Sequence, residues 1–244
     1  MSNLNVIFNE NCLDTMKRYP DNFFDLILTS PPYNMNLRIR KGKYCSRQIK
    51  QEEFSNKYKN FSDNLPIEEF YQLHTKILSE LLRISKLVFY NYAIVTGSKR
   101  AFVRIVNDHV DYYKDEIVWD KVHGEPAMQH GVLNRRTEKI VIFDKDNGIS
   151  RQFNKCNFSR GTLDDILLIQ RQRRREKING ATFPDELVKL IFSNFLECGD
   201  KIYDPFLGRG TTCMLAKEMG INFVGSELDE EQFEQAKKNI DNIS

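Results

Sequence analysis

Apolar positions along the chain fall into short β-rich runs that alternate with amphipathic stretches of helical period. The runs predict strands over residues 5–8, 24–29, 86–95, 116–122, 139–143, 201–204 and 222–227. Helices fit at 13–18, 67–84, 98–107, 184–195, 211–219 and 230–240. This order is the pattern of an α/β fold, a mostly parallel seven-stranded sheet with helices on both faces. The later helices carry end signals. Pro184 suits a first helical turn, "PDELVKLIFSNF" repeats apolar residues at three and four, and Gly220 follows "TTCMLAKEM" as a C-cap.

Two segments, 35–63 and 144–181, fit neither period and are too long for ordinary loops. Charge makes them more interesting. The formal net charge is only +2, yet residues 38–59 hold eight Lys/Arg against two acids, and residues 151–177 hold eight against three. Cations segregated from an otherwise acidic body suit a face that binds a polyanion, and two such runs favour nucleic acid over solvated loops. Hydrophobic residues make up 41% and charged residues 29%, with no apolar run of membrane-spanning length and no basic, apolar leader, so the expected location is the cytoplasm. The whole of 1–244 reads as a single domain, with the second basic segment a short insertion. Cys12, Cys45, Cys156, Cys198 and Cys213 are scattered and never form C-x-x-C, and the four histidines lack partners at ligand spacing, so no disulfide framework or metal site is expected.

The run 24–29 ends abruptly in "TSPPYN", Thr29 to Asn34. Two consecutive prolines lack N–H donors and fix φ, which stops a ladder and forces a stiff extended turn between a hydroxyl and an aromatic ring. Near the other end of the chain, a short strand runs into Asp204. A turn with Gly208 and Gly210 then opens a helix at Thr211, and the next strand closes on Glu227. Glycines that admit a ligand to the backbone, followed about 20 residues on by a carboxylate for ribose hydroxyls, are the βαβ logic of a nucleoside site. Gly210 is followed by two threonines rather than Lys-Ser/Thr, which disfavours a P-loop. The third glycine of the dinucleotide fingerprint is replaced by Cys213, so a ribose without a pyrophosphate fits better.

"TSPPYN" with the later "DPFLGRGTT" and "GSELD" resembles the DNA amino-methyltransferases of the β class, in which the catalytic motif precedes the cofactor motif. The resemblance spans nearly the whole chain and implies a Rossmann-like fold permuted so that the cofactor motif is C-terminal. The implied cofactor is S-adenosylmethionine, and the implied substrate is the exocyclic amino group of a base flipped out of DNA. Such an amino nitrogen has its lone pair delocalised into the ring, so acceptors beside its N–H groups favour the developing charge. Ser30 Oγ and the Pro31 carbonyl are the candidate acceptors, Pro31 and Pro32 the stiffeners, and Tyr33 the stacking face for the base.

On the cofactor side the resemblance assigns Asp204, Phe206, Gly208, Gly210 and Thr211 to the methionine and ribose, and Glu227 to the ribose hydroxyls. Thr182, Phe183 and Pro184 approach the methionine end, and Asp14 approaches the adenine. Asn34, Arg38, Arg40, Lys41, Lys43, Arg47, Arg151, Arg160, Arg171, Arg173, Arg174 and Arg175 are the expected DNA contacts. Within the family Ser-Pro-Pro-Tyr leans toward cytosine N4, with adenine N6 the alternative. RNA adenine, a protein glutamine amide and a non-catalytic DNA-binding relative are more remote readings. Methylation at cytosine carbon five is set aside because no cysteine follows a proline. A homodimer and a cognate restriction endonuclease are open as partners.

Overall fold

The computed structural model describes residues 3–40, 43–46, 63–125, 127, 130–171 and 183–243. The first half of the chain runs β1 (Val6–Phe8), α1 (Cys12–Met16), β2 (Phe24–Thr29), β3 (Leu37–Arg40), β4 (Lys43–Ser46), α2 (Ile67–Ile84), β5 (Ser85–Tyr92) and α3 (Lys99–Asp108). The rest runs β6 (Tyr113–Glu125), β7 (Arg135–Asp144), β8 (Ile166–Leu168), α4 (Asp185–Phe195), β9 (Lys201–Asp204), α5 (Thr211–Glu218), β10 (Asn222–Ser226) and α6 (Glu230–Asp241). One sheet has the order β1-β10-β9-β2-β5-β7-β6-β8, in which β7 is antiparallel to both neighbours and every other pairing is parallel.

The expected α/β architecture therefore holds, with one strand more than the seven expected. The eighth, β8, is a three-residue edge strand beside β6, too short to show a period in sequence and set inside the second basic segment. The first basic segment likewise contains the antiparallel pair β3–β4, whose strands of four residues each are too short to stand out as a period in the sequence.

Side chains alternate across the sheet as a doubly covered sheet requires. Leu26, Leu28, Phe89, Ile140, Ile142 and Ile202 face α4, α5 and α6, whereas Ile27, Val88, Tyr90, Val141, Phe143 and Tyr203 face α1, α2 and α3. The helices bury matching stripes, such as Phe70, Ile77, Leu78, Leu81 and Leu82 of α2 and Leu187, Val188, Ile191 and Phe192 of α4. Each fully buried apolar side chain contributes about 1.5–3 kcal/mol, so the site is carried on a rigid scaffold.

From β2 the chain moves outward to β5, and from β9 it moves the other way to β10. The connections diverge at the β2–β9 pair, and it is beyond the carboxyl ends of strands at such a divergence that open α/β sheets bind their ligands. Gly210, which opens α5 there, has φ +87°, and a Cβ on it would stand 3.0 Å from the Cβ of Ala236 in α6. Gly210→Ala is expected to cost about 2 kcal/mol through left-handed strain and overlap, read as a lower midpoint in denaturant melts. An unchanged midpoint would show that the turn relaxes freely.

Candidate active site

The two motifs meet at the β2–β9 junction. Thr29, the last residue of β2, donates its hydroxyl to Asp204 Oδ1 at 3.2 Å, and Asp204 is the last residue of β9. Thr212 in the first turn of α5 donates to Oδ2 at 2.5 Å, and the Phe206 N–H donates to Oδ1 at 3.1 Å. Burial pushes the Asp204 carboxyl up from 3.8 to about 6, despite these three donors that favour its ionised form. Glu227, just after β10, accepts the Gly208 N–H at 2.7 Å on one oxygen and the Asp229 N–H at 2.9 Å on the other. Burial raises it from 4.5 to about 7. Gly208 itself has φ +55°, and a Cβ there would meet just Gln232 Oε1, at 3.6 Å, which leaves room beside the backbone.

Beyond β2 the motif is a rigid turn. Pro31 is buried, and the turn ends at Asn34 in the left-handed region with φ 57°. The Asp63 carboxylate accepts the backbone N–H groups of Asn34 at 2.6 Å and Met35 at 2.8 Å, while its carbonyl takes the N–H of Asn36. The Asn34 amide donates to the carbonyls of Leu65 and Gly97, pinning the turn to the loops before α2 and α3. The Tyr33 ring packs edge-on against Phe102 of α3. Its hydroxyl lies 2.7 Å from Ser30 Oγ, 2.6 Å from Asn91 Nδ2 at the end of β5, and 3.1 Å from Glu138 Oε2 near the start of β7. Glu138 is ion-paired with Lys121 at 2.5 Å and with Arg171 at 3.4 Å. Burial pulls its carboxyl upward, but the cations and Asn91 outweigh burial and hold it below the ordinary range.

The hydroxyl-bearing turn that follows β2 therefore adjoins the glycine turn that follows β9 across one strand junction. The N6/N4 methyltransferase family model, described as DNA methylase, matches residues 24–238. The chain belongs to this DNA methylase family. It is 25% identical over 263 residues to the Type II methyltransferase M.BglII of Bacillus subtilis, covering 93% of this chain and 66% of that protein, so it spans just under two-thirds of its relative. Among solved structures it is similar to PvuII DNA methyltransferase (cytosine-N4-specific), with TM-score 0.69, 16% identity, and coverage of 98% of this chain and 87% of the other. An M1.HpyAVI complex with SAM superposes with TM-score 0.61 at 18% identity, covering 96% and 98% of the two chains.

In this member of the family the expected residues are not all placed alike. Ser30, Pro31, Pro32 and Tyr33 form one turn after β2, and Asp204, Phe206, Gly208 and Glu227 are joined by hydrogen bonds where β9 and β10 end, with Gly210 opening α5 beside them. Asn34, expected on DNA, is 1% exposed and serves as the anchor of the turn, because both amide hydrogens are spent on backbone carbonyls. Phe183 buries its ring against Trp119, with Pro184 capping α4 at the pocket end of the sheet. Thr211 is buried, and its neighbour Thr212 is the residue that holds Asp204. Asp14 lies at the surface, paired with Lys17.

Three cations of the second basic run are paired with acids of the same chain while staying at the surface. Arg151 pairs with Asp115, Lys155 with Asp200, and Arg171 with Glu138, while Arg160 is exposed. Phe153 and Phe158 of the same segment pack on Phe195 of α4. Thr182, Lys41, Arg47, Arg173, Arg174 and Arg175 lie outside the described residues, as do the side chains of Arg38, Arg40 and Lys43. Asn91, Lys121, Glu138, Asp63 and Thr212 were not singled out from the sequence. Asn91 falls inside the expected 86–95 strand and carried no such signal, because the strand ends earlier, at Tyr92, whereas a carboxylate just before the expected 139–143 strand was the signal for Glu138.

Both pocket carboxyls bind protons more tightly in the folded chain than in the unfolded one. Their contribution to stability is complete below about pH 4 and is lost as pH rises through about 6 for Asp204 and about 7 for Glu227. Glu227→Gln removes one such group. Whatever constant penalty the amide carries, the variant's Tm relative to the parent protein should shift in the variant's favour between pH 5 and pH 8. A gap that does not change with pH would contradict a raised Glu227.

Proposed function

We propose that this DNA methylase transfers a methyl group from S-adenosylmethionine to the exocyclic amino group of a DNA base presented to the Ser30–Tyr33 turn, with cytosine N4 as the target. The observation that carries the reading is the Thr29–Asp204 bond, which locks the hydroxyl-bearing turn and the nucleoside pocket into one crevice. The residues present fit the cofactor. Each Glu227 oxygen accepts one backbone N–H and retains acceptor capacity for a ribose hydroxyl, and Gly208 leaves the backbone open beside it. The relative solved with SAM, and others named as methyltransferases, support the same cofactor. S-adenosylmethionine supplies an electrophilic methyl group on a positively charged sulfur.

The chain's own contribution is position and electrostatics. Ser30 Oγ and the Pro31 carbonyl accept the N–H groups of the target amine, which favours a pyramidal nitrogen with its lone pair free. Asp63 and the prolines keep those acceptors from yielding. Tyr33 offers a ring held from the side by Phe102, on which an extruded base stacks for about 1–3 kcal/mol. Arg160 and the cations of segment 35–63 engage phosphates, and the choice of cytosine follows the lean of Ser-Pro-Pro-Tyr motifs within the family. The Type II names of relatives support a modifying role beside an endonuclease.

Mixed-sequence duplex DNA incubated with the protein and S-adenosylmethionine, then digested to nucleosides, should yield N4-methylcytosine by mass spectrometry. N6-methyladenine would overturn the base assignment while keeping the chemistry. No methylated nucleoside would overturn the reading. Ser30→Ala should lower turnover about 100-fold with DNA affinity nearly unchanged. Glu227→Ala should weaken cofactor binding about 10-fold or more by calorimetry, since the acceptor for the ribose hydroxyls is lost.

A further inference from the structure

Around Ser30 there are few hydrogens and several acceptors. Asn91 has two amide hydrogens and three neighbours, Tyr33 OH at 2.6 Å, Glu138 Oε2 at 2.7 Å and Ser30 Oγ at 3.2 Å, so the two short contacts take both. Glu138 is a carboxylate flanked by Lys121 and Arg171, and it brings no hydrogen of its own. The one hydrogen of Tyr33 is drawn to that charged acceptor, 3.1 Å away, in preference to a neutral hydroxyl. The phenol oxygen then takes the Ser30 hydroxyl hydrogen across their 2.7 Å contact.

We propose that Glu138 is a positioning residue that acts through Tyr33 to fix the direction of the Ser30 hydroxyl, so that Ser30 meets the target amine with lone pairs alone. In the reverse arrangement Tyr33 donates to Ser30, and Ser30 aims its hydrogen at an N–H group. A serine can donate or accept, unlike a carboxylate, so a Ser-Pro-Pro-Tyr site needs something to remove that freedom. The proposal rests on the function proposed above and adds a second task for Tyr33: its ring stacks, and its hydroxyl orients.

The backbone shows that the Lys121–Glu138 contact is built in. Val122, next to Lys121, stands at φ 67°, a left-handed conformation costly for a β-branched residue, and its N–H is taken by Asp120 Oδ1 at 2.8 Å. The β6–β7 register shifts between Asp120 and Glu125. The irregular stretch after Asp120 carries Lys121, which lies 5% exposed against Glu138.

The test is single-turnover methyl transfer with DNA and S-adenosylmethionine prebound, for Tyr33→Phe, Glu138→Gln, Glu138→Asp and the Tyr33→Phe/Glu138→Gln double variant. Tyr33→Phe keeps the stacking ring and leaves the ion cluster intact, so it reports even if Glu138→Gln fails to fold. Tyr33→Phe and Glu138→Gln should each slow transfer about 10-fold or more, with DNA and cofactor affinities within about 2-fold of the parent. The double variant should be no slower than the worse single, because both act through one hydrogen-bond chain. Glu138→Asp, which keeps the charge, should recover most of the loss. Tyr33→Phe transferring at the parent rate, or losses that multiply in the double variant, would overturn the proposal. A parent protein that methylates no DNA base would instead overturn the function on which it rests.

Discussion

Thr29 and Asp204 meet across two parallel strands that end side by side, and both halves of the site depend on that meeting. β2 delivers the proline turn and β9 delivers the glycine turn. Because the chain leaves the two strands in opposite directions, neither following loop crosses the other's space. The bond from Thr29 to Asp204 fixes their relative height, and Thr212 ties the start of α5 to the same carboxylate. An aspartate buried this deeply is costly when ionised, which is visible in its raised carboxyl. The fold tolerates that cost where the chain opens toward a ligand, a common trade between stability and activity.

The turn beyond β2 is held by polar contacts more than by apolar packing. Asp63, from a remote part of the chain, accepts two consecutive backbone N–H groups, and Asn34 spends its amide on two different loops. The price of this rigidity is visible in the buried oxygens of Asn34 and Asn91, which find no partner among the described residues. On the other side of Ser30, the Asn91, Tyr33 and Glu138 cluster links the ends of β5 and β7 to the motif. Partly satisfied buried networks of this kind are poor stabilisers and good orienters.

Much of this was legible in the sequence. Period and end signals placed the six helices and seven of the sheet strands, because each element buries one stripe or alternates across one sheet. The proline turn and the glycine turn were legible because each uses residues with restricted or unusual backbone freedom. Partnership was not legible. Tyr33 and Glu138 lie 105 residues apart, and Thr29 and Asp204 lie 175 apart, so no local spacing announces them. Charge counts located the basic runs but could not show that Arg151, Lys155 and Arg171 have acids waiting for them in the fold. Asn34 looked like a polar residue free to touch DNA, whereas the turn needs it inside.

The central claim is that the Ser30–Tyr33 turn receives an extruded base beside the Asp204–Glu227 pocket. A crystal structure of the protein with duplex DNA and an unreactive cofactor analogue tests it most directly. The account expects one base out of the helix, its ring on Tyr33, and its amino nitrogen at hydrogen-bond distance, about 3 Å, from Ser30 Oγ. A productive complex in which every base stays stacked, or in which the extruded base lies away from Ser30, would contradict it.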